Sequence, residues 1–435
     1  MYRRRTSIVL NNPFSLDHNK KINSEIYFKY KINYFFEIGN EKGTNQEKEE
    51  EENDLEIISK EGNVIIRELL FSKKENLEGY KENQSIFYFF SLKKLFELND
   101  YNIFGVINGK GKESKKFSRL LKEILIEKFS NEINYLNSIH KSNPKNFKYK
   151  NDFIFNTLTF KGFTFLKEIF NSLCDELKKK GVDIEETGAT LFIIVLIKDK
   201  IISIKIGDMY SYFIYSPTND KKLNHVITMK PHFEQLISNI IEQDRFEENK
   251  CEFKLTMDEL GQKSYEIIHN DKEIQKYITE NNINFTRMVG FQKLKKIGII
   301  GEPDIQIFSL NYFEDQIDLN SPYRKKKNSD TNINFINSFF NINEDQSIEA
   351  HLKYVIIGNN ELFEILKNNY YIKEINEAIL KDEENNKKKD NIKYCFNLKN
   401  VVKKLVDESV EIHKKYMNLK SFKERCLALL TFTYN

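Results

Sequence analysis

The sequence predicts an α+β protein, because it combines a β-hairpin with several amphipathic helices. The hairpin is indicated by a short β-branched run at 191–197, a polar turn at 198–200 and a second apolar run at 201–206. A third run at 210–215 is expected to continue the hairpin as a meander. Apolar residues at helical spacing predict helices at 117–129, 162–180, 231–245 and 401–416, which would cover the sheet faces.

Composition narrows the class of protein. At 435 residues the chain can bury a large core, and its net charge of +3 gives no general nucleic-acid signal. No apolar run reaches the roughly 20 residues that a membrane span needs. The four cysteines show no C-x-x-C spacing, and we therefore expect a reducing, cytoplasmic location. Arg3-Arg4-Arg5 resemble the start of an organelle transit peptide, which remains an alternative location.

The charge pattern predicts two parts of the chain. We expect an N-terminal extension at 1–74, with an acidic run at 47–54, and a main domain at 75–435. The acidic run is interpreted as a solvated loop, with a docking tail for a basic partner as the alternative. Charged insertions near 138–152, 315–348 and 381–391 are also interpreted as loops, and for the second, which contains Arg324-Lys325-Lys326-Lys327, a basic docking site is the alternative. Residues 250–282 contain no recognisable motif and are interpreted as a variable flap.

Six motifs follow one another between Tyr80 and Thr433. They are K-E-N-Q-S at 81–85, F-G-V-I-N-G-K-G at 104–111, G-A-T at 188–190 with I-G-D at 206–208, F-T-R-M-V-G-F at 285–291 with I-G-I-I-G-E-P-D-I at 297–305, G-N-N-E-L-F-E-I-L at 358–366, and the segment 423–432. In this order they resemble motifs of the type 2C metal-dependent protein phosphatases, the PPM family. The resemblance implies a four-layer α/β/β/α sandwich of two antiparallel sheets flanked by helices.

The resemblance also implies an active site, most of whose ligands are replaced. Family members hold Mg²⁺ or Mn²⁺ with aspartates, and a metal-bridging hydroxide attacks phosphoserine or phosphothreonine. Asp208 keeps the family's residue, and Glu424 lies where the last aspartate would be. The other positions that match the family's metal-binding and acid residues, of which only the glycine is unchanged, are Ser85, Asn108, Gly109, Lys110, Phe291 and Asn360.

These replacements remove the chemistry that a pair of divalent ions requires. Asn108 and Asn360 retain an oxygen but not its charge, Phe291 has no ligand atom, and Lys110 adds a positive charge. We therefore expect no metal, with Asp208 and Glu424 as residual candidates for one weakly held ion. Lys110 and Arg287 are candidate contacts for a phosphate that is never hydrolysed, although a structural role explains Arg287 equally well.

The sequence therefore favours a pseudophosphatase that acts as a binding, regulatory or structural component of a protein assembly. The alternative is a divergent active serine/threonine phosphatase with ligands taken from Glu82, Asp208, Asp304 or Glu424. No cofactor is expected in the first case, and Mg²⁺ or Mn²⁺ in the second. We expect protein partners, no nucleic acid and no membrane span. A cytoskeletal or ciliary assembly is one setting compatible with this role, but no residue specifies it.

Overall fold

A computed structural model describes most of the chain. The described residues are 26–38, 53–59, 64–75, 86–91, 101–142, 158–159, 163–164, 166–197, 200–217, 225–229, 240–257, 263–280, 285–313, 349–359, 362–363, 366, 368–388, 396–416 and 425–434. The strands are β1 Ile26–Ile38, β2 Asn53–Ser59, β3 Val64–Glu75, β4 Ile86–Ser91, β5 Tyr101–Gly111, β6 Thr187–Ile197, β7 Lys200–Ile206, β8 Met209–Pro217, β9 His225–Met229, β10 Cys251–Met257, β11 Lys263–His269, β12 Val289–Gly290, β13 Asp304–Ser309, β14 Asn311–Phe313, β15 Glu349–Asn359 and β16 Arg425–Tyr434. The helices are α1 Ser114–Ser142, α2 Leu173–Lys179, α3 Ile240–Glu248, α4 Lys272–Glu280, α5 Asn368–Lys388 and α6 Phe396–Tyr416, with a 3-10 helix at Gln292–Ile297.

The strands form two large sheets and a separate hairpin. The first sheet has the order β2-β1-β3-β16-β15-β8-β9, with β14 paired to β15. The second sheet has the order β13-β7-β6-β5-β4, with β12 paired to β6, and β10 pairs with β11 alone. Among the named strands, the described pairings are antiparallel except that β1 runs parallel to β3.

Three apolar clusters define four layers. One cluster lies between the two sheets, a second joins the second sheet to α1 and α2, and a third joins the first sheet to α5 and α6. Strand β6 shows why its sequence is continuously apolar. Leu191 and Ile193 pack towards α1, whereas Phe192 and Ile194 pack between the sheets, so both faces of this central strand are buried. The predicted four-layer α+β sandwich is confirmed.

The hairpin at the centre of the second sheet is confirmed, but the predicted meander is wrong. Strands β6 and β7 pair in antiparallel register. Strand β8, which is separated from β7 by two residues, pairs with β15 and β9 in the first sheet. The chain therefore crosses from one sheet to the other at Gly207 and Asp208. The local pattern missed this because apolar alternation does not reveal which strand is the partner.

The predicted boundary at residue 74 needs correction. Strand β3 pairs with β16 along its length, and β1 pairs with β3. Residues 64–75 therefore belong to the first sheet and not to an extension outside it. The acidic run at 47–54 falls mostly outside the described residues, and only its last two positions begin β2.

Two of the predicted charged loops are partly helical. Helix α1 continues to Ser142, and α5 continues to Lys388, so the first residues of the insertions near 138–152 and 381–391 extend helices. The sequence 381–388 is rich in Glu and Lys, which have good helix propensity and can interact at i, i+4 spacing. The insertion at 315–348 lies outside the described residues.

The segment interpreted as a flap has structure of its own. It contains the β10–β11 hairpin and α4, and α3 precedes it. Of the helix predicted at 231–245, the described part is α3, which begins at Ile240. Phe246, Ile267 and Phe291 contribute to an apolar cluster that holds this unit together. Among the described helices, none has the length and apolarity needed to cross a membrane.

Candidate functional site

Polar side chains replace apolar ones at one end of the core between the sheets. Phe104 and Val106 of β5 belong to that core. Because side chains alternate along a strand, Asn108 and Lys110 lie on the same side of β5 as Phe104 and Val106. Asn108 is buried and lies opposite Thr190 of β6. This end of the inter-sheet core is therefore polar.

Asp208 lies where the chain crosses between the sheets. Gly207 before it has a φ of 96°, and a Cβ at this position would lie 2.2 Å from Thr190 Cγ2. Glycine is therefore required for the close approach of this turn to β6. The turn places the Asp208 carboxylate, which is buried, within reach of both β5 and β6.

Both oxygens of Asp208 are engaged. The Thr190 hydroxyl donates a hydrogen bond to Asp208 Oδ1 at 2.5 Å. The ammonium of Lys110 donates to Oδ2 and forms an ion pair with it. The same ammonium lies 5.1 Å from the centre of the Phe285 ring, where a cation is attracted to the aromatic face. Lys110 is thus held between a carboxylate and an aromatic ring.

Asn108 has an unsatisfied acceptor. Its Oδ1 atom is buried and has no hydrogen-bond partner in the described part of the chain. A buried acceptor without a partner costs about 1–3 kcal/mol, and such atoms are uncommon in folded proteins. At the adjacent Gly109, a Cβ would lie 2.0 Å from Ser118 Oγ, so α1 packs directly on the β5 backbone.

Phe291 occupies a strained and buried position. Its φ is 48°, in the left-handed region, and its amide donates to the Thr187 carbonyl at 2.9 Å. A Cβ at Gly188 would lie 2.7 Å from the Phe291 ring, and one at Gly111 would lie 3.1 Å from it. The ring is therefore packed directly on the backbone of β5 and β6, next to the register pair of Lys110 and Gly188.

Arg287 has a structural partner. Its guanidinium is ion-paired with Glu242, whose carboxylate is fully buried and also binds Arg245. Arg287 also donates from Nη1 to the Glu302 carbonyl at 2.9 Å. Burial alone would raise the pKa of Glu242, but the hydrogen bonds and charges of the two arginines outweigh it and lower the pKa to about 2. This arrangement favours the structural explanation of Arg287 over phosphate contact.

Three of the predicted site positions, Ser85, Asn360 and Glu424, lie outside the described residues, as does Glu82. Their neighbours in sequence are described. Ile86 pairs with Gly109, and Asn359 pairs with Met209, which follows Asp208. The fold therefore brings the ends of β4 and β15 to the same end of the sandwich as Asp208.

Sequence reasoning missed several residues that shape the site. Thr190 is part of the G-A-T motif, which signals its position but not its bond to Asp208. Asn359 accepts a hydrogen bond from the Cys426 amide at 3.0 Å. No sequence motif indicated a role for Glu242, because its partner Arg287 lies 45 residues away in the sequence.

The described side chains do not fit the two-metal centre that the sequence resemblance implies. Within the described residues there is no group of three or more His, Cys, Asp or Glu side chains that could hold an ion. Asp208 is the one carboxylate among the described matching positions, and its oxygens are already bound. Asp304, proposed as an alternative ligand, lies 3.8 Å from the ammonium of the buried Lys205. Two divalent ions would need more anionic oxygen than this.

Comparisons with known proteins support the fold. No protein-family model and no curated protein sequence matches the chain. A serine-threonine phosphatase 2C from Toxoplasma gondii is similar in structure, with a TM-score of 0.54 and 13% identity over 83% of this chain and 94% of that chain. The serine/threonine phosphatase Stp1 from Staphylococcus aureus has a TM-score of 0.41 and 12% identity, over 84% of this chain and 95% of that chain. On the first of these similarities, the chain has the fold of the PPM-type serine/threonine phosphatases.

Proposed function

We propose that this protein is a pseudophosphatase, a phosphatase-like domain that acts by binding within a protein assembly and does not hydrolyse phosphate esters. The observation that carries this proposal is the ion pair between Lys110 and Asp208. The carboxylate that would bind a metal in an active member of this fold here binds an ammonium and the Thr190 hydroxyl.

Electrostatics supports this proposal. A pair of divalent cations is stable only where several carboxylates offset their mutual repulsion. At the described positions Asn108 is neutral and the charges of Lys110 and Asp208 cancel, so no net negative charge is left to offset a divalent cation. A lysine can supply a positive charge to the carboxylate, but it cannot convert water into a hydroxide nucleophile as a metal does.

Packing supports the proposal independently. The Phe291 ring is buried against Gly111 and Gly188 and belongs to the apolar cluster of the flap unit. Its position matches a metal-binding aspartate in the sequence resemblance. An aromatic ring there supplies no ligand atom and occupies volume that hydrated ions would need.

If the protein does not catalyse a reaction, its function is to bind other molecules, and we expect these to be proteins. One specific form is the binding of a phosphorylated segment through the Lys110 ammonium. This form requires the phosphate to compete with Asp208, which already holds that ammonium. The ion pair therefore makes phosphate binding the less favoured form of the proposal.

Metal titration and hydrolysis test the proposal together. Purified protein would be titrated with Mn²⁺ by calorimetry, and the same sample assayed for hydrolysis of a phosphothreonine peptide. An active phosphatase of this fold is the positive control, and Asp208→Asn is the matched variant. We expect neither binding heat nor turnover from the wild type.

The opposite result would overturn the proposal. Turnover that requires Mn²⁺ and is lost in Asp208→Asn would establish an active enzyme that uses Asp208 together with ligands outside the described residues. Mn²⁺ binding without turnover would retain the non-catalytic role but contradict the expectation that Lys110 excludes the metal.

A further inference from the structure

A cluster of basic side chains covers the outer face of the helical layer on the second sheet. Five of them belong to the start of α1 and the residues just before it, and three lysines follow at 178–180, at the end of α2. Lys116 Nζ donates to the Gly181 carbonyl at 2.5 Å, which joins the two segments. We call this surface the basic patch; its α1 members are Lys112, Lys115, Lys116, Arg119 and Lys122.

Acidic residues lie near the basic patch, at Glu113 and within 183–186, but most of its α1 cations form no described ion pair with them. Lys112, Lys115, Arg119 and Lys122 form no ion pair in the part of the chain that the structure describes. Glu113 is the one acidic residue between 112 and 122. Its side chain accepts a hydrogen bond from the Asp183 amide at 3.0 Å and lies 3.8 Å from Lys116.

Helix stability does not account for these residues. The N-terminus of a helix carries partial positive charge, so cations there are unfavourable by about 0.3–1 kcal/mol each. The first turn of α1 nevertheless contains Lys115 and Lys116 and no acidic residue. In contrast, Lys178 and Lys179 lie in the last turn of α2, where cations are favourable. Glu113, just before α1, and the Gly181 carbonyl offset the charge of Lys116, whereas Lys115 has no described ion pair. Lys115 therefore opposes a local folding rule, which is typical of a functional surface.

We propose that the basic patch binds an acidic segment of a partner protein. On α1, Lys115, Arg119 and Lys122 are spaced by four and three residues and therefore lie on one face. Lys115 and Lys122 are roughly 10 Å apart along the helix axis. An extended acidic segment of about three residues has the same length, so each of several carboxylates could meet a cation.

The surroundings of the patch favour a protein partner over other polyanions. Single-stranded nucleic acid is bound through aromatic side chains as well as cations, and helices on a membrane surface insert apolar side chains. The large apolar side chains exposed on the described surface are Tyr135, Ile307, Leu380 and Ile412, and none of them belongs to the basic patch. The basic patch lies on the outer face of the helical layer, whereas Asp208 lies between the sheets. This inference therefore does not depend on whether the protein is catalytic.

Charge reversal at the patch provides the test. The variant carries Lys112→Glu, Lys115→Glu and Arg119→Glu, and leaves Lys116 in place because it binds Gly181. The control variant carries Lys254→Glu, Lys272→Glu and Lys381→Glu, three exposed lysines elsewhere on the surface. Binding of a fluorescent peptide of eight glutamates to the full chain is measured by anisotropy at low and moderate salt, after thermal unfolding confirms that all three proteins are folded.

The wild type and the control variant are expected to bind the peptide equally, with affinity that falls as salt rises. The patch variant should bind at least about tenfold more weakly, because three attractive contacts become repulsive. Equal binding by the patch variant would overturn the proposal. Binding of duplex DNA or of phosphatidylserine vesicles in place of the peptide would also overturn it and would identify the polyanion that the patch serves.

Discussion

Lys110 and Asp208 form an ion pair at the polar end of the inter-sheet core, although they lie 98 residues apart in the sequence. The pair joins β5 to the crossing between the sheets. Asp208 is buried and Lys110 is mostly buried, so each charge depends on the other for its stability. The fold therefore contains its own cation at this position.

Lys110→Met should destabilise the protein by about 3 kcal/mol, because it leaves the buried Asp208 carboxylate without its counter-charge. Urea unfolding at neutral pH measures this loss. The double variant Lys110→Met with Asp208→Asn removes both charges and should recover much of it. Equal stability of the single variant and the wild type would show that water hydrates the Asp208 carboxylate well enough for it to need no counter-charge.

Glu242→Gln should remove a pH-dependent part of the stability. The pKa of Glu242 is lowered to about 2 in the folded protein, so its stabilisation is complete above its ordinary pKa of 4.5 and is lost as the pH falls towards 2. The difference in unfolding free energy between wild type and variant should be about 3 kcal/mol at pH 7. It should shrink as the pH falls below 4.5. Glu123→Gln, at an exposed position, should show no such difference.

Phe291→Ala should cost about 3–5 kcal/mol, because it empties the space that the ring fills against Gly188. Phe291→Gly loses the same ring but suits the left-handed backbone at this position. It should therefore be the more stable of the two by about 1 kcal/mol, the reverse of the usual order. Thermal or urea unfolding of both variants decides this; a less stable glycine variant would mean that the backbone relaxes once the ring is removed.

Asp382→Ala should weaken the start of α6 by about 2 kcal/mol. Asp382 is buried in α5 and accepts hydrogen bonds from the amides of Asn397 and Leu398, at 3.1 and 2.9 Å. The loss should appear in urea unfolding and as faster hydrogen exchange at those two amides. Glu384→Ala, an exposed change in the same helix, serves as the control and should have little effect.

The predictable parts of the fold were those that depend on local pattern and ordered motifs. The β6–β7 hairpin followed from its β-branched runs and polar turn, and the order of six motifs indicated the sandwich although the structural relative shares only 13% of its residues. The exchange of sheets at Gly207 and Asp208 was not predictable from local pattern. Whether β8 pairs with β7 or with β15 depends on contacts more than 130 residues away.

The site was predictable in its residue identities but not in its interactions. The motifs located Asn108, Lys110, Asp208 and Phe291, and the chemistry of their side chains indicated that a metal would be disfavoured. That Lys110 would contact Asp208 follows only from the register of β5 beside β6. The charged residues 381–388 suit a solvated loop as well as a helix, so the sequence does not show that they form the end of α5. Nor does it show that Asp382 caps α6, because that contact depends on the packing of the two helices.

The connection between β7 and β8 consists of two residues, Gly207 and Asp208, and joins strands of different sheets. Three peptide units span at most about 11 Å, so the two sheets are tethered at this end. At the opposite end of β7, Leu310 alone joins β13 of the second sheet to β14 of the first. Because a short connection holds the sandwich at both ends, the sheets cannot swing apart at either end while their strands stay paired, and the Lys110–Asp208 pair lies in a gap of nearly fixed width.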